Sequence, residues 1–590
     1  FLVSTNSFSQ EIEWQNTIGG IWNDQLFSIQ QTSDGGYILG GTSSSSISGD
    51  KLENSYGSYD YWIVKTDSLG AIQWQNTIGG SSGDNLKSVQ QTTDGGYILG
   101  GESSSSISGD KTEVNFGSNF TKDYWIVKTD SLGNIIWQNT IGGSDEEELK
   151  SIYQTADGGY IIGGNSHSNI SGDKTENSVG NNGYSDFWII KIDSIGNIVW
   201  QNTIGGNSHD QLQSTQQTSD GGCILGGYSA SNISGDKTEN CIGGYDYWIV
   251  KIDMAGNIQW QNTIGAYGFD YLRTIQNTFD GGFLIGGSSH SNIAADKTEN
   301  RKGGYDFWIV KVDSMGLIQW QNTIGGNGND AIFSLQQTAD GGFILGGSSE
   351  SDISGDKTED AIGSANVSDF WVVKTDSSGN LLWQNTIGGE NYDDLWLIKQ
   401  NPKGGYILGG YSMSNTSLDK TEDCLGNFDY WMVKLTENYN VICGKLFTDF
   451  NSNNIQDPGE LNLAGRKIFE QSTGRIAFSD RDGKFSLIVI DTGSYTVSPQ
   501  SLNWYFPSPG VLLATFNGNQ QTDSLNDFAY QPLGNFDDVC VTITPLGAFR
   551  SGFSATYQIN YGNYGTTTIA PTVYFYPDTN VTFQSATLTP

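Results

Sequence analysis

Histidine is nearly missing from this chain: three residues in 590, His167, His209 and His290. Two of them, His167 and His290, occupy the same position of an internal repeat. No histidine metal cluster and no Ser-His-Asp set can be read from them, and no paired-carboxylate centre stands out among 65 acids. Cysteine is almost as scarce. Cys223, Cys241, Cys424, Cys443 and Cys540 form no CxxC pair and no dense framework, so neither a zinc site nor a disulfide scaffold is indicated. The odd number leaves at least one thiol unpaired within the chain. Cys241 and Cys424 stand at equivalent loop positions of non-adjacent repeats, which argues against a bond between them. Basic residues are few, 29 against 65 acidic, for a net charge of −36. Such a surface repels nucleic acid and anionic membrane, and suits an extracellular setting and divalent cations. No apolar run approaches the ~20 residues that span a bilayer. Residue 1 is Phe, which implies a processed or truncated start.

What the chain has in abundance is a repeat. WQNTIGG occurs at 14–20, 74–80, 137–143, 200–206, 320–326 and 383–389, with WQNTIGA at 260–266. The leading Trp residues are spaced 60 or 63 apart. A fixed period of this size means one supersecondary unit, copied and stacked. In one copy, 85–92 (NLKSVQQT) reads as a strand, and DGG at 94–96 as a turn. The segments 97–103 (YILGGES), 123–129 (DYWIVKT) and 134–140 (NIIWQNT) read as three more strands, the last two joined by the tight turn DSLG. Four antiparallel strands per repeat is the blade pattern of a β-propeller. Blades packed on both faces explain why DYWIVK is apolar nearly throughout, and two Trp per repeat supply the filling between blades.

The phase of the repeat predicts how the ring closes. The chain opens with a lone fourth strand, EIEWQNT (11–17), and the seventh repeat supplies only three strands, 395–401, 406–412 and 429–435. Pairing the two ends leaves no free edge. The expected fold class is all-β: a seven-bladed propeller over 1–438, a β-sandwich over 439–533 and an incomplete immunoglobulin-like sandwich over 534–590.

The loop between the second and third strands carries all the length variation and reads ISGDKTEN with small changes. Its aligned acids are Asp50, Asp110, Asp173, Asp236, Asp296, Asp356 and Asp419, each followed by Lys, with aligned Glu at 53, 113, 176, 239, 299, 359 and 422. Ion pairs and Asx turns that order the loop are one reading; a ring of ligand or calcium sites on a binding face is the other. A second aligned acid, Asp24, Asp84, Glu147, Asp210, Asp270, Asp330 or Asp393, reads as a cap for the loop into the first strand. Seven nearly equal units favour display or multivalent binding over one asymmetric catalytic centre.

After residue 435 the period stops. Asp449, Asn451, Asn453, Ile455, Asp457 and Glu460 fall at positions 1, 3, 5, 7, 9 and 12 of a calcium loop, Ile455 offering its backbone carbonyl and Glu460 two oxygens. Position 6 is Asn454, which tolerates positive φ better than most residues. The flanking segments 467–471, 484–490 and 494–499 read as strands, so the loop opens a sandwich and not a helical hand.

Three resemblances add to this. The motifs GKLFTDFNSNNIQDPGE, LAG, DGKF and DFAYQP resemble the calcium-binding B-type modules of bacterial surface adhesins over about 441–533. The WQNTIGG, DGGYILGG, SGDKTEN and DYWIVK motifs resemble the propellers of large secreted Bacteroidota proteins, which implies type IX secretion; no sorting domain is seen, and the chain ends inside what looks like the start of an immunoglobulin-like module. Asp-Ser followed by an aliphatic residue or Met resembles the O-glycosylation signal of such proteins, at Ser68, Ser131, Ser194, Ser314 and Ser524, where turn chemistry is the plainer account. Together they imply a secreted or outer-surface, adhesin-like protein that binds Ca2+ and a glycan or surface protein, with the secretion machinery as a further partner. A structural envelope or cargo component without its own ligand, and an extracellular polysaccharide-active enzyme, are the alternatives.

Overall fold

The computed structural model of the chain describes residues 10–436 and 439–536, apart from short breaks at 119–120, 181–182, 364–366, 403, 472–474, 481, 491–492 and 519–520, and the strands Val539–Pro545 and Tyr557–Asn563. It divides into two compact units, Phe1–Glu437 and Asn438–Pro590.

The first unit is a seven-bladed β-propeller. Blade one is the sheet Asp24–Gln31, Tyr37–Ser43, Asp60–Thr66 and Ile72–Ile78, in that order, and blades two to six repeat it. Blade seven takes Asp393–Gln400, Tyr406–Ser412 and Asp429–Leu435 from one end of the repeat region and Ile12–Ile18 from the other. The closing strand pairs antiparallel with Asp429–Leu435, Trp14 opposite Lys434 and Thr17 opposite Trp431. Observed strands lie within a residue or two of those expected.

Second and third strands are buried along nearly their whole length, as blades sandwiched on both faces require. Trp62 and its six counterparts are fully buried. Each meets an aromatic ring of the blade before it: Trp62 and Tyr430 have ring centroids 4.8 Å apart, Trp125 and Tyr61 4.9 Å. The fourth-strand Trp is half-buried and turns its edge to the next blade, Trp74 to Tyr97 at 5.7 Å. First strands touch one another all the way round, so they line the axis.

In the second unit, the strands Lys484–Ile490, Tyr439–Thr448, Phe528–Pro532 and Tyr505–Ser508 form one sheet, and Ile476–Phe478, Lys467–Glu470, Gly493–Pro499 and Leu512–Phe516 another. Side chains of both, among them Ile442, Leu446, Phe485, Val497, Phe516 and Tyr530, share one core. Val539–Pro545 and Tyr557–Asn563 pair antiparallel. The rest of the segment expected to begin an immunoglobulin-like module, 546–556 and 564–590, lies outside the described residues.

Candidate functional site

The repeated motif is spent on joining blades. In WQNTIGG of blade one, the Gln75 Oε1 accepts the Trp62 indole N–H at 3.1 Å, and the Gln75 amide donates to the Asp50 carbonyl. Asn76 donates to the Gly133 carbonyl of the next blade at 2.8 Å. The first Gly of the motif is obligatory: a Cβ on Gly79 would stand 2.0 Å from Asp60 Oδ1, and all seven copies show the same crowding at 1.9–2.2 Å.

The loop acids belong to the same joinery. Asp50 accepts the Gly19 N–H at 3.2 Å, and its own N–H donates to the Gly19 carbonyl at 2.8 Å, clasping the fourth strand of the preceding blade. Asp110, Asp173, Asp236, Asp296, Asp356 and Asp419 do the same at 3.1–3.3 Å. The aligned Glu also turns to backbone, Glu53 accepting the Thr77 N–H at 2.6 Å. The expected ion pairs are largely replaced. Among the described residues only Asp356 forms one, with Lys302. The Lys after each acid is buried instead, donating to a Thr hydroxyl (Lys51 to Thr77) and lying over a Trp ring, 5.2 Å from the Trp62 centroid. Burial pushes the Lys51 ammonium down to about 8.

Beneath this layer lie carboxylates in neighbouring pairs. The acid that opens a first strand is fully buried: Asp24 accepts the Gly20 N–H at 2.7 Å and the Ser45 hydroxyl at 2.9 Å. This is the cap expected from the sequence. Next to it sits the buried Asp that opens the third strand of the preceding blade, which sequence reading had not singled out. In one such pair, a Cβ on Gly388 would meet both Asp369 Oδ1 and Asp393 Oδ2. Burial raises these groups, Asp24, Asp60 and Asp393 to about 6 and Asp369 to about 8. The Oδ1 atoms of Asp60 and Asp369 have no hydrogen-bond partner among the described residues.

The unlike residues of the propeller converge on the axis. Every first strand carries a β-bulge: in blade one, Leu26 pairs with Gly41 and Ser28 with Gly40, leaving Phe27 unpaired. A bulge re-aims its extra side chain. The seven bulge residues are Phe27, Lys87, Lys150, Gln213, Arg273, Phe333 and Trp396, all half-buried where their neighbours at the preceding position are fully buried. They touch from blade to blade. Phe333 stacks on Trp396 at 4.6 Å, Trp396 meets Phe27 edge-on at 5.1 Å, and the Lys87 ammonium stands 4.7 Å from the Phe27 ring. At the loop end of the same strands lies an aromatic cluster of Tyr228, Tyr245, Phe269, Tyr271 and Tyr305, with centroids 5.0–6.2 Å apart. His167 and His209 approach to 6.2 Å, and His290 lies tilted against Tyr305 at 5.1 Å. A cavity of about 380 Å3 on blade five is lined by Tyr267, His290 and Arg301 among others.

Sequence reading passed over this ring because it weighed the repeats as wholes. The signal was there in one aligned column: the position after an invariable Leu or Ile holds Phe, Lys, Gln, Arg or Trp. Trp396 is also one of three Trp outside the repeat's own two columns.

In the second unit, the acids and amides of 449–460 face one another. Asp449 accepts from the backbone N–H groups of Asn453 and Asn454 and from the Gln531 amide at 2.9 Å. Asn451 and Asn453 donate to Asp457, and Glu460 accepts from Phe450 and Asp457 backbone. Asn454 holds φ +60, the conformation that position 6 of a calcium loop needs. The all-oxygen donor set fits Ca2+: side chains of Asp449, Asn451, Asn453, Asp457 and Glu460 and the Ile455 carbonyl would hold it. Among the described residues no three His, Cys, Asp or Glu side chains are drawn together as they would be around an ion. Ser68, Ser131, Ser194, Ser314 and Ser524 are all exposed. The Asp before each of the first four anchors its turn, Asp67 accepting the Leu69 and Ala71 N–H groups. Cys223, Cys241, Cys424 and Cys443 are free thiols, Cys241 and Cys424 each against the third-strand Asp of its own blade.

The N-terminal region is a propeller by its sheet order and ring closure. No protein family and no curated protein matches the chain. Among solved structures it is similar to Sqt1 from Chaetomium thermophilum, 12% identical over 82% of this chain and 100% of that one, TM-score 0.36. The Pan2 WD40 domain of Neurospora crassa is 10% identical over 73% and 99%, TM-score 0.36. A protein of unknown function from Dyadobacter fermentans is 9% identical over 72% and 100%, TM-score 0.33.

Proposed function

We propose that the chain is a secreted or cell-surface, adhesin-like binding protein whose propeller captures a glycan or a surface protein, the second unit serving as a calcium-stabilised spacer. One observation carries the reading. A scaffold repeated almost residue for residue departs from its pattern at the bulges that face the axis and at the aromatic rim beside them. Repetition elsewhere is accounted for by packing between blades; the bulge residues stand outside the strand ladder and differ from blade to blade. Half-exposed Trp, Tyr and Phe rings offer faces on which sugar rings stack. The loop acids, earlier the other candidate binding surface, are engaged with backbone N–H groups and are proposed to be structural. The resemblance to secreted Bacteroidota propellers supports export by type IX secretion and O-glycosylation at Ser68, Ser131, Ser194, Ser314 and Ser524.

The test is a glycan array of neutral and acidic structures probed with the full chain, beside the double variant Phe333→Gln, Trp396→Gln. Gln already stands at this bulge in blade four as Gln213, so the fold tolerates it. Binding by the parent and its loss in the variant is the expected result. Equal binding by both would remove the channel from the function.

A further inference from the structure

We propose that the axial channel takes an acidic saccharide, its ring lying against the aromatic sector of blades six, seven and one and its carboxylate or sulfate reaching a cation within or beside that sector. The inference deepens the glycan reading above and rests on it.

The argument begins with charge. The chain is acid-rich, yet the two inner levels of the channel wall, the bulge residues and the position three further along each first strand, contain no carboxylate at all. They contain Lys87, Lys150 and Arg273 at the first level and Lys399 at the second. Lys150 is paired with Glu148 at 3.0 Å, nearer the mouth. Glu102 and Glu146, which also face this sector, are paired with Lys122 at 3.0 and 3.5 Å. Asp394, the remaining acid at that outer level, accepts the Ser368 hydroxyl at 2.8 Å. The side chains of Lys87, Arg273 and Lys399 make no hydrogen bond or ion pair among the described residues.

That is unusual within this molecule. Buried lysines elsewhere in the propeller are provided for: Lys51 has its Thr hydroxyl, and Lys65 has a carbonyl at 2.8 Å and Asp34 at 2.9 Å. Lys399 replaces a Gln whose side chain, in blades one, two, four, five and six, accepts a backbone N–H of the next blade. An ammonium cannot accept, so the exchange costs a hydrogen bond between blades and leaves a cation short of a partner. Burial disfavours the charged form of Lys87 and Lys399, and the Arg273 Nε is buried without an acceptor. A cation taken from water without a counter-ion is costly; an anionic group entering the channel supplies such a counter-ion.

The aromatic sector receives the body of the ligand. Phe333, Trp396 and Phe27 are contiguous, and Lys87 adjoins the last of them. At the second level Gln30, Gln90, Gln216, Gln276 and Gln336 spend their side-chain oxygens on the next blade, which leaves their amide N–H groups as donors for sugar hydroxyls. A stacking face, hydroxyl partners and unpaired cations together describe a sugar bearing an anionic group.

The experiment uses the full chain, trigalacturonate and its trimethyl ester, read by titration calorimetry at two salt concentrations, with the same chain on the mixed glycan array. Lys87→Gln, Arg273→Gln and Lys399→Gln each install the residue that another blade already carries at that position, and unchanged thermal unfolding shows that the ring is intact. The inference expects trigalacturonate to bind more weakly at high salt, the ester not to bind, and each variant to lose about tenfold or more. Equal binding of acid and ester, or unchanged binding in all three variants, overturns it. Array binding confined to neutral glycans overturns the inference while leaving the glycan reading standing; no binding to any glycan overturns both.

Discussion

The buried carboxylate pairs make the propeller's stability depend on pH in an unusual direction, and Asp369 is the place to test it. Asp369 and Asp393 are both fully buried and adjacent between blades six and seven. Asp369 accepts the Ile362 N–H at 2.6 Å with one oxygen and has no partner for the other. Burial, reinforced by the charge of Asp393, lifts its carboxyl from 3.8 to about 8. A group raised in the folded state holds its proton more tightly there than in the unfolded chain. Its stabilisation is therefore complete below the unfolded value and is lost as pH rises through about 8. At 1.36 kcal/mol per pH unit, Asp369 alone removes roughly 2.5 kcal/mol of stability between pH 6 and pH 8.5. Asp369→Asn replaces the protonated carboxyl with a neutral group of the same shape. Its amide can donate to Asp393 while its oxygen keeps the Ile362 bond.

The variant should gain roughly 2.5 kcal/mol on the parent between pH 6 and pH 8.5, on top of the difference already opened between the unfolded value of 3.8 and pH 6. Guanidinium unfolding followed by tryptophan fluorescence reads this, since the fully buried Trp371 and Trp431 flank the site. Lysines held down to about 8, such as Lys51, pull the other way above that pH, but they are common to both proteins and cancel in the difference. Carboxylates lowered to about 2 by Lys and Thr partners, Asp34, Asp157 and Asp220, act only in acid. Parallel pH profiles for parent and variant would refute the reasoning, as would a variant less stable than the parent at pH 8.5.

Other outcomes follow from the same geometry. Ca2+ at a hundred times its Kd should stabilise the second unit by about 2.7 kcal/mol, seen as a shift in its thermal transition, and Glu460→Gln should abolish the shift. Leu418 stands at φ +50, where the aligned residue in blades one to four and six is Gly; Leu418→Gly should therefore raise propeller stability by about 0.5–1 kcal/mol in denaturant unfolding, relief of strain exceeding the added chain entropy. Removing the segment through Ile18 takes away the closing strand and leaves Asp429–Leu435 as an open edge; the chain should then associate with itself in sedimentation, whereas a monodisperse, equally stable product would contradict ring closure. If Ser68, Ser131, Ser194 and Ser314 carry glycans, natively purified material should lose discrete mass on β-elimination.

Fold and site differ in how far each could be read from the residues, for the same physical reason. A repeat displays its packing constraints seven times over, so WQNTIGG announces the blades, and the missing fourth strand of the last repeat announces closure. The clasp of Asp50 on Gly19 was half legible: the acid's regular place marked it as structural, but the choice of a backbone N–H over the adjacent Lys depends on a neighbouring blade that the linear order hides. The carboxylate pairs were illegible for that reason too, since Asp369 and Asp393 belong to different repeats and meet only when blades stack. The binding ring was obscured by the repeat itself. Phe27, Lys87, Arg273 and Trp396 look like tolerated noise in a surface strand until the bulge between Leu26 and Ser28 shows that this one position is turned out of the ladder toward the axis. In a molecule built of near-copies, packing enforces sameness, so a column that is free to differ and still faces a shared interior is where a ligand can have selected its residues.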